Sequence, residues 1–195
     1  MECWENILDQ DELKLSLEFS ALFVMYYECL KDYVVNQIKD FYCDELELED
    51  GVLIQKETEK YKREVRSLSK NIDNASLKWF LQFQAISQED YDNYQIIRKR
   101  RNELTHELFK NVCIGFTEKD VELFVSLITL FNKIDKWWIN EIEIPICGDE
   151  VPDDYDRNGV CGSHALILSI MNDIILCDGG ERYKTILEDF QKITR

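Results

Sequence analysis

Residues 9–43 read DQDELKLSLEFSALFVMYYECLKDYVVNQIKDFYC and contain neither glycine nor proline. Apolar residues recur there every three or four positions, which is the spacing of one helix face. Asp9, followed three residues later by Glu12, is typical of a capping pair at a helix N-terminus. The stretch therefore predicts one helix about 45–50 Å long. Its predicted core stripe consists of Leu15, Phe19, Leu22, Tyr26, Cys29 and Tyr33.

The rest of the chain is also poor in residues that break helices. Its 195 residues include seven glycines and two prolines, none of them within 1–50 or 52–114. Because Gly and Pro are the main helix breakers, this distribution predicts an all-α fold.

Two further long helices follow from capping and periodicity. Ser87 is a predicted N-cap, and Gly115 ends the apolar pattern that begins there. Thr117 opens the next helix, which runs to about Ile142. The short connections between helices predict antiparallel neighbours, as in a bundle.

The segment between the first two long helices is rich in charge. Asp50-Gly51 is a turn signal, and both a plain loop and a short hairpin are compatible with it. Residues 56–70 carry charges of both signs and predict an exposed helix, with a solvated face favoured over an RNA path. Residues 71–74 are expected to break that helix. The hairpin would use Leu46, Leu48, Val52 and Ile54.

Pro145 is predicted to end the regular bundle. We therefore expect a bundle domain over residues 1–144. Residues 145–195 would form a loop and two helices, 163–177 and 181–193, packed on the bundle as a C-terminal appendage.

The chain is strongly acidic, and its charge is uneven. The net charge is −16 overall. Residues 1–55 carry −11, residues 117–195 carry −8, and only residues 56–116 are positive, at +3. An acidic protein is a poor general nucleic-acid binder, because phosphate contacts dominate that affinity.

The N-terminus and the cysteines favour a cytoplasmic protein without a membrane span. The first residues are acidic and lack the basic region of a secretory signal. The most apolar run, Ala21 to Tyr27, is far shorter than the roughly 20 residues needed to span a bilayer. The seven cysteines are odd in number and form no C-x-x-C pair, so reduced thiols are expected.

The densest positive charge lies in the stretch Arg98–His106, which also holds one of the two histidines. On a helical wheel His106 lies nearly opposite the apolar face, whereas Arg101 lies beside it and needs an anionic or hydrogen-bonding partner. Arginine is the preferred bidentate ligand of phosphate, and histidine titrates near neutral pH. The pairing therefore predicts phosphate chemistry. The apolar face of this helix is expected to comprise Ile97, Leu104, Leu108 and Val112.

Arg101 and Asn102, followed by His106, resemble the signature of HEPN domains. In that signature an arginine and a polar residue precede a histidine, with four residues between the arginine and the histidine. The resemblance covers about residues 9–143 and includes the long first helix and the late position of the motif. It implies a HEPN-like antiparallel helical bundle that forms a homodimer, with the two motifs facing a shared cleft.

Many HEPN proteins are metal-independent ribonucleases, so the resemblance implies an RNA substrate and no cofactor. Arg101 would bind the scissile phosphate, Asn102 would position the reacting groups, and His106 would act as general acid or base. The products would be a 2′,3′-cyclic phosphate and a 5′-hydroxyl. We further expect the neighbouring residues Arg98, Lys99 and Arg100 to bind RNA.

The biological setting also comes from the resemblance. It implies a toxin, an abortive-infection protein or another antiviral defence protein, with an antitoxin or regulatory protein as a possible partner. Some HEPN toxins carry a tyrosine two residues after the histidine. Leu108 stands there in this chain, which argues against the antitoxin mechanism that uses a nucleotidyltransferase.

A structural interpretation of the motif stays open. Arg101 would then be a buried arginine paired with a carboxylate, and His106 a surface residue. The protein would be a non-catalytic acidic interaction or regulatory protein, or a nucleic-acid mimic. The net charge favours this alternative, whereas the basic cluster argues against a mimic.

Two weaker motifs lie in the C-terminal third. Asp154, Asp156 and Asn158 match the first half of an EF-hand loop, but Ala165 stands where a bidentate glutamate would be needed. A turn stabilised by its own Asp and Asn side chains is therefore favoured over calcium binding. The set Cys147, Cys161 and His164 lacks a fourth zinc ligand, and we predict no metal site.

Overall fold

The computed structural model describes residues 7–43, 46–49, 51–147, 151–152 and 154–176. The all-α prediction is confirmed, since the described chain is helical apart from one two-stranded hairpin. The α-helices are α1 (Gln10–Tyr42), α2 (Glu59–Glu64), α3 (Ile72–Gln82), α4 (Gln88–His106), α5 (Leu108–Ile114), α6 (Glu118–Trp138), α7 (Ile144–Cys147) and α8 (Ser163–Leu176). The hairpin strands are β1 (Leu46–Glu49) and β2 (Val52–Gln55).

The helix α1 is the element against which most of the others pack. The Asp9 carboxylate accepts hydrogen bonds from the backbone N–H groups of Asp11 and Glu12, at 3.0 and 3.1 Å, and so caps the helix. Helices α3, α4, α6 and α8 all contact α1. From Phe19 onward the predicted stripe is buried, except for the half-buried Cys29, whereas Leu15 is exposed, because the bundle covers α1 only beyond its first turns.

The core around α1 is largely aromatic. The ring of Phe124 on α6 lies 5.3 Å from Phe19 and 5.2 Å from Tyr26, between ring centroids. At the other end of the bundle, Trp79 on α3 lies 6.3 Å from Trp138 on α6. Burial of each such side chain contributes roughly 1.5–3 kcal/mol, so these contacts fix the packing of α3 and α6 on α1.

The prediction of one continuous helix from Ser87 to Gly115 is wrong. The chain leaves helical geometry at Glu107, with φ −121° and ψ 31°, so α4 ends at His106 and α5 starts at Leu108. The Asn111 amide donates to the carbonyls of Glu103 and Glu107, at 3.1 and 2.9 Å. These two carbonyls also accept from the backbone N–H groups of Glu107 and Asn111, so the Asn111 side chain adds a second bond to each and bridges the break. Leu108 turns outward.

The segment before α3 also differs from the prediction. It forms the six-residue α2 and a 3₁₀ turn (Arg66–Leu68) instead of one exposed helix. Tyr61 and Val65 are completely buried, which explains why the segment packs on the bundle. The break before α3 is confirmed, since the Asn71 side chain accepts a hydrogen bond from the Asn74 N–H at 3.0 Å and caps α3.

For the segment before α2, the sequence was compatible with a plain loop or a short hairpin, and the structure has the hairpin. Strands β1 and β2 are antiparallel, with Leu48 opposite Leu53. Gly51 in the turn has a φ of 81°, a conformation that disfavours residues with a side chain.

Pro145 does not end the helical region as predicted. A π-helical turn (Ile139–Glu143) follows α6, and Pro145 is the second residue of α7. The first residues of a helix need no intrahelical N–H donor, so proline is tolerated there.

The loop that follows is fastened to the π turn and to α6. The Asn140 amide donates to the carbonyl of Arg157 at 3.0 Å, and the Tyr155 hydroxyl donates to Asn140 Oδ1 at 2.9 Å. The Gly162 N–H donates to Asp135 Oδ2 at 2.8 Å. These bonds set the position from which α8 starts.

Helix α8 packs on α1. The Tyr26 hydroxyl donates to the carbonyl of Leu168 at 2.9 Å, and Ala165 and Leu168 join the central core. The division at residues 144 and 145 stays a prediction. The predicted helix 181–193 lies outside the described residues.

Among the helices of the described chain, none combines the length and the apolar character that a membrane span requires.

We expect Gly162→Ala to destabilise the protein by about 1–3 kcal/mol, the usual cost of overpacking. A methyl group at residue 162 would overlap the buried carboxylate of Asp135. The matched control is Gly159→Ala, whose methyl group would meet only the exposed side chain of Asp156. Urea unfolding measures both free energies, and equal values for the two variants would contradict the role of Gly162.

Candidate functional site

The basic stretch at the end of α4 divides into residues with different environments. The Arg100 side chain is 16% exposed. Its Nε donates to Asp120 Oδ1 at 2.6 Å, and its Nη1 donates to Asn111 Oδ1 at 2.7 Å. Arg100 therefore ties α4 to α5 and α6, and its donors point into the protein.

Asp120 serves two elements at once. While Oδ1 accepts from Arg100, Oδ2 accepts from the N–H and the hydroxyl of Thr117, at 2.9 and 2.8 Å. The predicted cap of the helix that starts after Thr117 is thus confirmed. The Asp120 carboxylate also offsets the cost of burying the Arg100 guanidinium.

Arg98 and Lys99 differ in exposure. Arg98 Nη1 lies 3.8 Å from the buried carboxylate of Asp73. The Lys99 side chain is 81% exposed, with Nζ 4.0 Å from Glu103. Of the three predicted RNA-binding residues, Lys99 is the one most open to a ligand.

Arg101 points towards α1. Its Nη2 is paired with Glu28, and its guanidinium lies over the ring of Tyr27, 5.4 Å from the ring centre. Its Nη1 donates to Asn102 Oδ1 at 2.9 Å, while its buried Nε has no hydrogen-bond partner in the described chain. The carboxylate that this arginine needs near the core is thus supplied by a helix 73 residues away in sequence.

His106 is the last residue of α4, and its side chain is exposed. No hydrogen bond within the described chain joins it to Arg101 or Asn102. Residues five apart on a helix point about 140° away from each other. The structure therefore brings Arg101 and Asn102 together and points His106 away from Arg101, although His106 follows Asn102 by one helical turn. One chain thus presents the arginine and the histidine of the motif as two separate parts.

The surface that follows His106 is apolar. Phe109 on α5 is 77% exposed, and Leu108 and Ile114 are also exposed. Single exposed apolar residues are common, but a group of them marks an interaction surface.

A groove of about 540 Å³ runs between α4, α5 and α6. Its carboxylates are matched by cations, since Arg100 Nη1 lies 3.3 Å from Glu103 and Lys110 Nζ lies 2.8 Å from Glu107. The hydrogen bond from Lys110 lowers the pKa of Glu107. The negative charge of these two carboxylates is therefore offset locally. The cations that line the groove are Lys99, Arg100, Lys110 and Lys119.

Two candidate metal motifs have other environments. The N–H of Asn158 donates to Asp156 Oδ1 at 2.9 Å, which confirms the turn stabilised by its own side chains. His164 packs edge-on against Tyr33, with ring centres 5.6 Å apart. Within the described ranges, no three His, Cys, Asp or Glu residues are grouped as a metal site requires.

Several partners of the motif were not predicted, among them Glu28 and Asn111. A weak signal existed for Glu28, which is a carboxylate next to the apolar run of α1. Asn111 gives no comparable signal, because its role depends on the position of Arg100.

No protein-family model, curated protein or solved structure matches this chain. The function is therefore argued from the site itself.

We expect Arg100→Met to destabilise the protein by about 3 kcal/mol or more, because it leaves the carboxylate of Asp120 buried without its cation. Lys99→Met, the adjacent and exposed control, should change the free energy of unfolding by less than about 0.5 kcal/mol. Urea denaturation followed by circular dichroism distinguishes the two. A small effect of Arg100→Met would contradict its structural role.

Proposed function

We infer that the chain is an endoribonuclease of HEPN type that acts as a homodimer and needs no metal. The observation that carries this proposal is the arrangement of α4. Arg101 is held at its inner side beside Asn102, while His106 stands exposed at its end. A second copy that brings its own α4 to the same cleft would complete the set of groups.

The proposed reaction uses the ribose 2′-hydroxyl as nucleophile. His106 removes its proton, the 2′-oxygen bonds to phosphorus, and the bond to the 5′-oxygen breaks. A protonated His106, of the same or of the second copy, gives a proton to the 5′-oxygen, which leaves as a hydroxyl, so a 2′,3′-cyclic phosphate remains. Arg101 donates to the phosphate oxygens, where negative charge increases in the transition state, and Asn102 positions the groups. The nucleophile belongs to the substrate, so metal activation of water is not required.

The Glu28 carboxylate competes with a substrate phosphate for Arg101. A phosphate that binds Arg101 must replace the Glu28 carboxylate. Glu28 would keep a cation after this exchange, because Lys31 Nζ donates to it at 3.0 Å. The exchange of a carboxylate for a phosphate supports a nuclease whose free form is weakly active.

The apolar surface of Leu108 and Phe109 supports the homodimer. It directly follows His106 in the chain, so a second copy that covers it would also approach the histidine. Lys99 and Lys110, both exposed, would then line the approach for RNA.

The setting proposed for this nuclease is a cytoplasmic toxin or antiviral defence protein. An antitoxin or regulatory protein would control it. This part of the proposal rests on the resemblance of the motif.

A non-catalytic acidic interaction protein is the second candidate, and the ion pairs of the basic stretch favour it. Arg98, Arg100 and Arg101 each have an acidic partner within the chain. In this alternative the motif residues stabilise the bundle, and the apolar surface binds another protein.

We expect His106→Ala to lower RNA cleavage by about 10²–10⁴-fold, as loss of a general acid or base does. Arg101→Ala should lower it by about 10²–10³-fold. Cleavage is measured with excess EDTA, and light scattering gives the mass of each variant. The matched controls are His164→Ala and Arg63→Ala. Wild-type cleavage by both motif variants, or loss of wild-type cleavage in EDTA, would refute the mechanism and favour the second candidate.

We expect Glu28→Gln to lower the KM for RNA by about two- to fivefold, since the competing ion pair is partly exposed and worth roughly 0.5–1 kcal/mol. Glu18→Gln, on the same helix and paired with Lys14, is the control. Steady-state cleavage of a labelled RNA gives both KM values. If Glu28→Gln lowers the thermal midpoint and leaves KM unchanged, the pair with Arg101 is structural.

A further inference from the structure

A buried carboxylate at the junction of α1, α6 and α8 has one oxygen without a donor. Asp135 is 1% exposed. Its Oδ2 accepts from Gly162, whereas Oδ1 has no hydrogen-bond partner among the described residues. Gly162 lies beside Oδ1, but its N–H group already donates to Oδ2. Leaving a buried carboxylate oxygen unmatched is costly, so Oδ1 is an acceptor available to a ligand in the adjoining cavity.

Asp135 lines a cavity of about 100 Å³. A water molecule needs roughly 10–15 Å³ by the same kind of measure, so the cavity can hold a larger group. Tyr33 forms another wall, and its pKa is raised by burial and by the carboxylates of Asp135 and Glu143. The hydroxyl of Tyr33 therefore stays protonated and neutral, and its oxygen can accept a hydrogen bond from a cation.

A second cavity, of about 370 Å³, lies beside the first along α1. The two cavities share Tyr33, Gln37 and His164 as lining residues. The outer one is also lined by Asp32 and Asp40, both exposed. These two aspartates lie eight residues apart on one face of α1, which separates them by about 12 Å. The pair of cavities, hereafter the Asp135 pocket, thus has two carboxylates, Asp135 and Glu143, at its inner end and two along its outer part.

The charge of the Asp135 pocket is one-sided. None of the described residues that line it is a lysine or an arginine, in contrast to the groove beside α4. The described chain holds no cluster of three such ligands that could bind a metal ion, so the carboxylates of the pocket are spread out. Spread negative charge suits an elongated cation with several charges better than a compact metal ion. The π turn that supplies Glu143 fits this interpretation, since such turns often occur at functional sites.

We propose that the Asp135 pocket binds a linear polyamine. One terminal ammonium enters the inner cavity and donates to Asp135 Oδ1. The alkyl chain passes the rings of Tyr33 and His164, which favour a neighbouring cation. A second ammonium lies between Asp32 and Asp40.

The proposal is tested by calorimetric titration of the full chain without RNA. The probes are spermidine and n-butylamine, with MgCl₂ at matched ionic strength as control for general attraction to an acidic protein. We expect saturable binding of one spermidine per chain, weaker binding of n-butylamine, and no saturable binding of Mg²⁺. Spermidine heats no larger than those of Mg²⁺, or stoichiometric Mg²⁺ binding, would overturn the proposal.

Variants locate the ligand. Asp135→Asn should weaken binding of both amines at least tenfold. Asp40→Asn should weaken spermidine several-fold and leave n-butylamine unchanged, because a monoamine does not reach the outer cavity. Glu122→Gln, an equal loss of charge on the exposed face of α6, should change neither. Unchanged affinity in folded Asp135→Asn would overturn the proposal. Should that variant fail to fold, equal effects of Asp40→Asn and Glu122→Gln on spermidine would overturn it instead.

Discussion

The guanidinium of Arg100 holds together the part of the molecule that carries the motif. A buried arginine requires acceptors in fixed positions, and Asp120 and Asn111 supply them from α6 and α5. Because its Oδ1 is bound to Arg100, Asn111 directs its amide towards the carbonyls of α4. The chain leaves helical geometry at Glu107, between the two carbonyls that Asn111 binds, and His106 is the exposed end of a helix.

The neighbouring arginine is held by different forces. Arg101 has the carboxylate of Glu28 and the ring of Tyr27 on α1, so its charge is neutralised in the isolated chain. A basic stretch that looks like a nucleic-acid patch in sequence is thus largely used within the fold. For a nuclease, this means that the substrate phosphate competes with a protein carboxylate. For an interaction protein, it means that the surface offered to a partner is mainly acidic.

Helix α1 links the motif to the Asp135 pocket. Glu28 contacts Arg101, while Tyr33, five residues and about 7.5 Å further along the helix, lines the pocket. The pocket also depends on the C-terminal loop, because the bond from Gly162 to Asp135 and the contacts of Asn140 hold that loop in place. A small residue is needed at position 162, since the carboxylate occupies the space of a side chain.

The sequence by itself determined that the chain is helical and where several helices begin, because these signals depend on neighbours three and four residues apart. The caps at Asp9 and Ser87 and the periodicity of α1 are local signals of this kind, and both caps are present in the structure. The identity of the motif residues is also a local property. Their mutual placement was decided only by tertiary contacts.

Three features show why the sequence was not sufficient. The break at Glu107 is bridged by Asn111, whose side chain is bound to Arg100. The partner of Arg101 lies 73 residues away on α1, and the bond that closes the Asp135 pocket spans 27 residues. Local periodicity predicts which side of a helix faces inward. It does not predict which distant group meets a buried charge, because that choice depends on how the helices pack.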